Sequence, residues 1–121
     1  MPPRARSVDA FLPLTPPTLH TLVALADGDK HGYAIIKEVD RRSEGQIALS
    51  AGTLYTIIRR FEQEGVIAES AVRPVAALDD ERRRYYKLTS LGERVLSAEL
   101  DRLRRLVNAS ATRAVARRLA P

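Results

Sequence analysis

Apolar residues recur at helical spacing in four stretches of this chain, and between the third and fourth the rhythm shortens to that of strands. Thr15-Pro16-Pro17 reads as a helix start, with threonine capping and proline in the first turn. Leu19, Leu22, Val23 and Ala26 then form one buried stripe, which Asp27-Gly28-Asp29 ends. A second helix opens near Lys30 or His31 with Gly32, Ile35, Ile36 and Val39 inward, and Ser43-Glu44-Gly45 breaks it. Gln46 to Leu49 is a short candidate strand. Ser50 caps a third helix that runs to about Glu64, with Leu54, Ile57, Ile58 and Phe61 inward.

After Gly65, Val66 to Val72 and Arg82 to Leu88 read as the two strands of a hairpin, joined by a long tip containing Pro74 and Asp79-Asp80-Glu81. Of the adjacent Tyr85 and Tyr86, alternation sends one to the core and the other to a surface or interface. Thr89 caps a last helix reaching Leu119, on which Leu96, Leu100, Leu103 and Val107 make a heptad seam suited to a second copy of the chain. The expected fold is mostly α with a small β-hairpin wing: a winged helix-turn-helix domain plus a C-terminal dimerisation helix. Residues 1–14 are expected to be a flexible or loosely docked arm, 15–88 the winged domain and 89–119 the dimerisation helix.

A length of 121 residues suits one such domain, and 45% apolar with 29% charged residues is ordinary for a soluble globular protein. No cysteine is present, which excludes disulfides and thiolate metal sites. Two histidines without paired carboxylates at ligand spacing give no metal site, and no nucleophile–base pair suggests an enzyme. No apolar run is long enough to cross a bilayer, and the N-terminal residues lack a signal-peptide core, so a cytoplasmic location is expected. The net charge of +5 is carried almost wholly by arginine. Its planar fork suits phosphate and guanine.

Position gives that charge a purpose. With the apolar stripe of the third helix inward, its opposite face presents Gly52, Thr56, Arg59 and Gln63, flanked by Thr53 and Arg60 on one side and Tyr55 on the other. No acidic residue interrupts Ser50 to Phe61. Thr56 and Arg59 are placed to read base edges, Ser50, Thr53, Tyr55 and Arg60 to hold phosphates, and Gly52 to let the backbone come close. His31 and Tyr33 open the second helix, where they would meet a phosphate or serve as a cap and a core ring. His20 has no evident partner. On the wing, Arg73 and Arg84 are the candidates for DNA contact, with Arg82 on the same face as Arg84 and Arg83 on the other.

The segments HGYAIIKEV from His31, LSAGTLYTIIRRFEQEGVI from Leu49 and RRRYYKLTSLGERVL from Arg82 resemble the PadR family of bacterial transcription regulators. The likeness runs from Leu14 to Val107, and the single C-terminal helix resembles the family's shorter subgroup. It implies a homodimeric winged-helix repressor that occupies operators in double-stranded DNA, with Ser50, Thr53, Tyr55, His31, Tyr33 and the wing at the DNA. Some members release DNA on binding a small molecule, so an effector is a further expectation; no cofactor is implied. The apolar tip Pro74 to Leu78 departs from the short polar tips of the family, and the absence of tryptophan removes one drug-binding aromatic sandwich. The alternative reading is a winged-helix module that contacts an acidic protein.

Overall fold

The computed structural model describes residues 7–71 and 83–121. A 3-10 turn at Val8–Phe11 precedes α1 (Pro16–Ala26), β1 (Lys30–His31), α2 (Gly32–Arg42), α3 (Ala51–Gln63), β2 (Ile67–Ser70), β3 (Tyr85–Leu88), α4 (Ser90–Asn108) and α5 (Ser110–Leu119). The architecture is the expected one, mostly helical with a small wing. The tip of the wing, including Arg73, Arg82 and Pro74 to Leu78, lies outside the described residues.

Helix α1 is turned relative to the expected stripe. Thr18, Thr21, Leu22, Ala24 and Leu25 are buried, Leu19 and Val23 are half-buried against the core, and Ala26 is exposed. Thr21 donates its hydroxyl to the Pro17 carbonyl at 2.8 Å, so the oxygen is satisfied within the helix and the methyl group is free to pack. A reading that counts only apolar residues misses a threonine used in this way. Helices α2 and α3 bury Ile35 and Val39, and Leu54, Ile58 and Phe61, as expected.

The wing is a three-stranded antiparallel sheet in the order β1-β3-β2. The short β1, unforeseen in the sequence, makes β3 the middle strand, pairing His31 with Tyr85 and Lys30 with Tyr86. Both tyrosines are therefore buried, contrary to expectation: Tyr86 joins the core, and Tyr85 lies edge-on to the His31 ring at 5.3 Å. Gln46 to Leu49 forms no strand. It passes into α3 as a loop in which Ser43 Oγ accepts the Ile47 amide at 3.0 Å and Leu49 plugs into the core.

Helix α3 ends in a glycine turn. Gly65 takes a φ of +78°, its amide reaches the Glu62 carbonyl, and the Val66 amide reaches the Phe61 carbonyl at 2.8 Å. The Val66 carbonyl then receives the Thr89 amide at 3.1 Å. The Thr89 hydroxyl donates to the Gly65 carbonyl at 2.5 Å and lies 3.1 Å from that of Val66. Thr89 also caps α4 by accepting the Gly92 amide at 3.0 Å. The two segments approach so closely that a Cβ on Gly92 would stand 2.2 Å from the Val66 oxygen.

Residues 7–14 are docked rather than loose. Phe11 is buried and its ring lies 6.1 Å from that of Phe61. The Leu14 amide donates to Glu99 Oε2 at 2.7 Å, and Glu99 is only 1% exposed, held on its other oxygen by Arg102. The expected continuous C-terminal helix is broken at Ala109, whose ψ of 140° separates α4 from α5. Asn108 and Ser110, two weak helix formers, flank the break, and the helix there is exposed to solvent on every side. Leu96 is buried in its own chain, Leu103 is half-buried, and Leu100, Leu106 and Val107 are exposed.

Two outcomes follow from these contacts. Gly92→Ala forces α4 away from the Val66 carbonyl and should cost about 1–3 kcal/mol in denaturant unfolding, with Gly52→Ala as a control that meets open space. The Arg102 hydrogen bond, followed by the Leu14 amide, lowers the Glu99 pKa from 4.5 despite its burial. Its stabilisation is therefore complete above the ordinary glutamate value and is lost as pH falls through the depressed one. Glu99→Gln should cost about 1–2 kcal/mol near neutrality, and the gap to the wild type should close in acid. A gap that stays constant down to strongly acidic pH would refute a role for the carboxylate charge.

Candidate nucleic-acid interface

Helix α3 exposes the face expected of it. Gly52, Thr53, Thr56, Arg59, Arg60 and Gln63 are all exposed, opposite Leu54, Ile58 and Phe61. The two hydroxyls at its start are partly engaged: Ser50 Oγ accepts the Thr53 amide at 3.1 Å and donates to the Thr53 hydroxyl at 3.0 Å. Thr56 donates to the Gly52 carbonyl at 2.9 Å, which keeps its oxygen as an acceptor at the surface. Arg60 lies over the edge of the core, 5.5 Å from the Phe61 ring.

Glycine also matters at a position that was not expected. Nothing lies within 4 Å of a Cβ on Gly52, whereas one on Gly32 would meet the Tyr55 hydroxyl at 2.5 Å. Gly32 thus lets α3 bring Tyr55 against the first turn of α2. His31 caps that turn, Nδ1 accepting the Ala34 amide at 3.2 Å. A neutral imidazole that accepts at Nδ1 carries its proton on Nε2. That nitrogen stands 3.2 Å from the Arg83 guanidinium at the surface, which brings the approach to β3 beside the start of α2. Tyr33 is no core ring: it is 57% exposed, stacked on His31, with the Lys37 ammonium 4.9 Å from its ring centre.

These groups surround one open cleft of about 640 Å³. Helix α3 contributes Tyr55, Arg59 and Glu62, the start of α2 contributes His31 and Tyr33, and the approach to β3 contributes Arg83 and Arg84. Arg83 and Arg84 border the same cleft because both precede the paired part of the strand, where strict alternation does not hold. Glu62 and Tyr86 were not foreseen. Glu62 lies seven residues beyond Tyr55 and so on its side of α3, while only the pairing register reveals that Tyr86 backs the cleft.

The electrostatics separate two kinds of arginine. Arg41 and Arg42 bind Glu38, and Arg42 also binds Asp27; Arg102 binds Glu99, and Arg104 binds Asp101. The first two, by hydrogen bonding, hold the Glu38 carboxyl below its ordinary range. Among the described residues Arg59, Arg60 and Arg84, on the face formed by α3 and the wing, have no ion pair, and neither do Arg94 and Arg105 on α4 or Arg113, Arg117 and Arg118 on α5. Among the described residues there is no cluster that could hold a metal ion, and no helix long and apolar enough to cross a membrane.

Comparison with known proteins agrees with this architecture. The family model described as the transcriptional regulator PadR-like family matches residues 21–98. An uncharacterised protein of Lysinibacillus sphaericus is 34% identical over 73 residues, 60% of this chain, and the match spans 64% of that protein's length. A PadR family transcriptional regulator of Eggerthella lenta superposes with a TM-score of 0.54 at 26% identity, over 75% of this chain and 77% of the other. RosR of H. salinarum shares the fold at a TM-score of 0.63 and 21% identity, over 90% of this chain and 92% of its own.

Proposed function

The chain belongs to the PadR-like family of transcriptional regulators, proteins that act on DNA, and from that premise we propose that it is a repressor which occupies a palindromic operator as a homodimer. The observation that carries this reading is the set of unpaired guanidinium groups at Arg59, Arg60 and Arg84 on one polar face, in a chain whose other arginines include several held by carboxylates. A polyanion supplies the missing partners and releases its own counterions in doing so.

Within that face, Thr56 and Arg59 point straight away from the core and are assigned to base edges. Arg60, Arg84, Tyr55, Tyr33, His31 and the Ser50–Thr53 pair are assigned to the backbone, with Gly52 and Gln63 completing the contact surface. The second copy is assigned to Leu100, Leu103, Leu106 and Val107. The last two are 56% and 61% exposed on a helix that has left the body of the domain. Leu96 would contribute from beneath, as part of the core on which the seam begins. Two recognition helices related by a dyad would then meet half-sites about one helical turn apart, roughly 10–10.5 bp. An effector would act on this arrangement from outside the DNA face, where a second cleft of about 480 Å³ lies between Leu25, Leu88, Leu96 and Leu100. The site of action is the cytoplasm.

Footprinting on the promoter of its own gene tests operator binding and symmetry together. On the protected site Arg59→Ala should cost about 1–3 kcal/mol and relax specificity, with a smaller loss on random duplex; equal losses on both would refute base reading. A protein-binding module would instead show no preference among duplexes. For assembly, sedimentation at micromolar concentration should give a dimer for the wild type and a monomer for Leu103→Asp/Leu106→Asp. A dimer in both would place the interface elsewhere.

A further inference from the structure

Tyr86 forms the floor of the cleft between α2, α3 and the approach to β3. It is 5% exposed and its ring belongs to the core, yet its hydroxyl has no hydrogen-bonding partner among the described residues. Of its charged and phenolic neighbours, Glu62, Tyr55 and Arg84 line the cleft with it, while Glu69 lies across the strand pair on β2, so the ring's polar surroundings are mostly those of the cleft. A phenylalanine would fill the core equally well without leaving a polar atom to be satisfied.

The rest of the cleft is suited to an anion. Three arginines line it against the single carboxylate of Glu62. The first turn of the 11-residue helix α2 opens beside it, brought close to Tyr55 by the bare Cα of Gly32. The cleft is far larger than one phosphate group and open to solvent, which fits a passing strand better than an enclosed small molecule. Its mouth lies between α3 and the wing, where a backbone strand runs when α3 occupies a groove.

Resting on the DNA reading of this face, we propose that the cleft seats one backbone phosphate of the bound duplex, with the Tyr86 hydroxyl donating from the floor and the Arg84 guanidinium from the wall. No proton changes hands. Burial, and then the Glu62 carboxylate, push the Tyr86 pKa above its ordinary value, so the phenol stays a donor. Tyr86 acts as a positioning residue for the duplex: it fixes depth and register at one phosphate and carries no sequence information.

The test uses Tyr86→Phe in the full chain and a labelled duplex of arbitrary sequence, titrated at several salt concentrations. Affinity should fall about tenfold, as for a lost hydrogen bond to a charged group, with the thermal midpoint retained. The dependence of log affinity on log salt should keep its slope, because a neutral hydroxyl displaces no counterion, whereas Arg84→Gln should reduce it by about 0.9. Wild-type affinity in Tyr86→Phe overturns the proposal. A wild type that holds no duplex at any salt overturns the DNA reading itself. If inorganic phosphate alone perturbs tyrosine fluorescence in the wild type and not in Tyr86→Phe, while both bind duplex equally, the seat belongs to a free anion and its assignment to the backbone is overturned.

Discussion

The Val66 carbonyl is the point on which this small domain turns. It follows the glycine turn that ends α3 and precedes β2, and it receives the amide of Thr89 at the start of α4, while the Thr89 hydroxyl holds the neighbouring Gly65 carbonyl. One peptide group thereby sets where the recognition helix stops, where the wing begins and where the long helix departs. The Cα of Gly92 presses on the same oxygen, so no side chain can intervene. Buried backbone groups must be paired in any fold, but here that requirement also fixes the angle between the polar face of α3 and the exposed seam of α4.

A second tie closes the opposite side. The segment before α1 lays Phe11 against Phe61 of α3 and gives its Leu14 amide to Glu99 of α4. A buried carboxylate is costly unless its oxygens are satisfied, and Glu99 meets that condition with one amide and one guanidinium. The helix that would read DNA and the helix that would meet a second copy are thus tied to one another at two points. A change in the spacing of two copies has a stiff path to the two recognition faces.

Charge is divided in the same spirit. Where arginine serves the fold, it is matched locally: Arg41 and Arg42 on Glu38, Arg102 on Glu99. Most such exposed pairs contribute little to stability, but they neutralise the surface around the helices that carry them. Among the described residues Arg59, Arg60 and Arg84 are left unpaired on the face of α3 and the wing, as are Arg94 and Arg105 on α4 and the three arginines of α5. What marks the first face is the setting of its arginines beside the outward Thr53 and Thr56 rather than unpaired charge alone.

Much of this was legible in the residues alone. The spacing of Ile35 and Val39, and of Leu54, Ile58 and Phe61, gave two helices and their inward faces, because burial in a helix repeats every three or four positions. The same wheel placed Thr56 and Arg59 outward, and capping chemistry located the starts at Ser50 and Thr89. Long-range contacts were beyond such local rules. The pairing of β1 with β3 buried both Tyr85 and Tyr86, the docking of residues 7–14 explained an acid within the core, and the lack of neighbours beyond Leu100 let the last helix break at Ala109. Periodicity reports which face of an element is buried; only the meeting of elements distant in sequence decides what buries it, and which polar groups, such as the hydroxyl of Tyr86, are left beside a cleft.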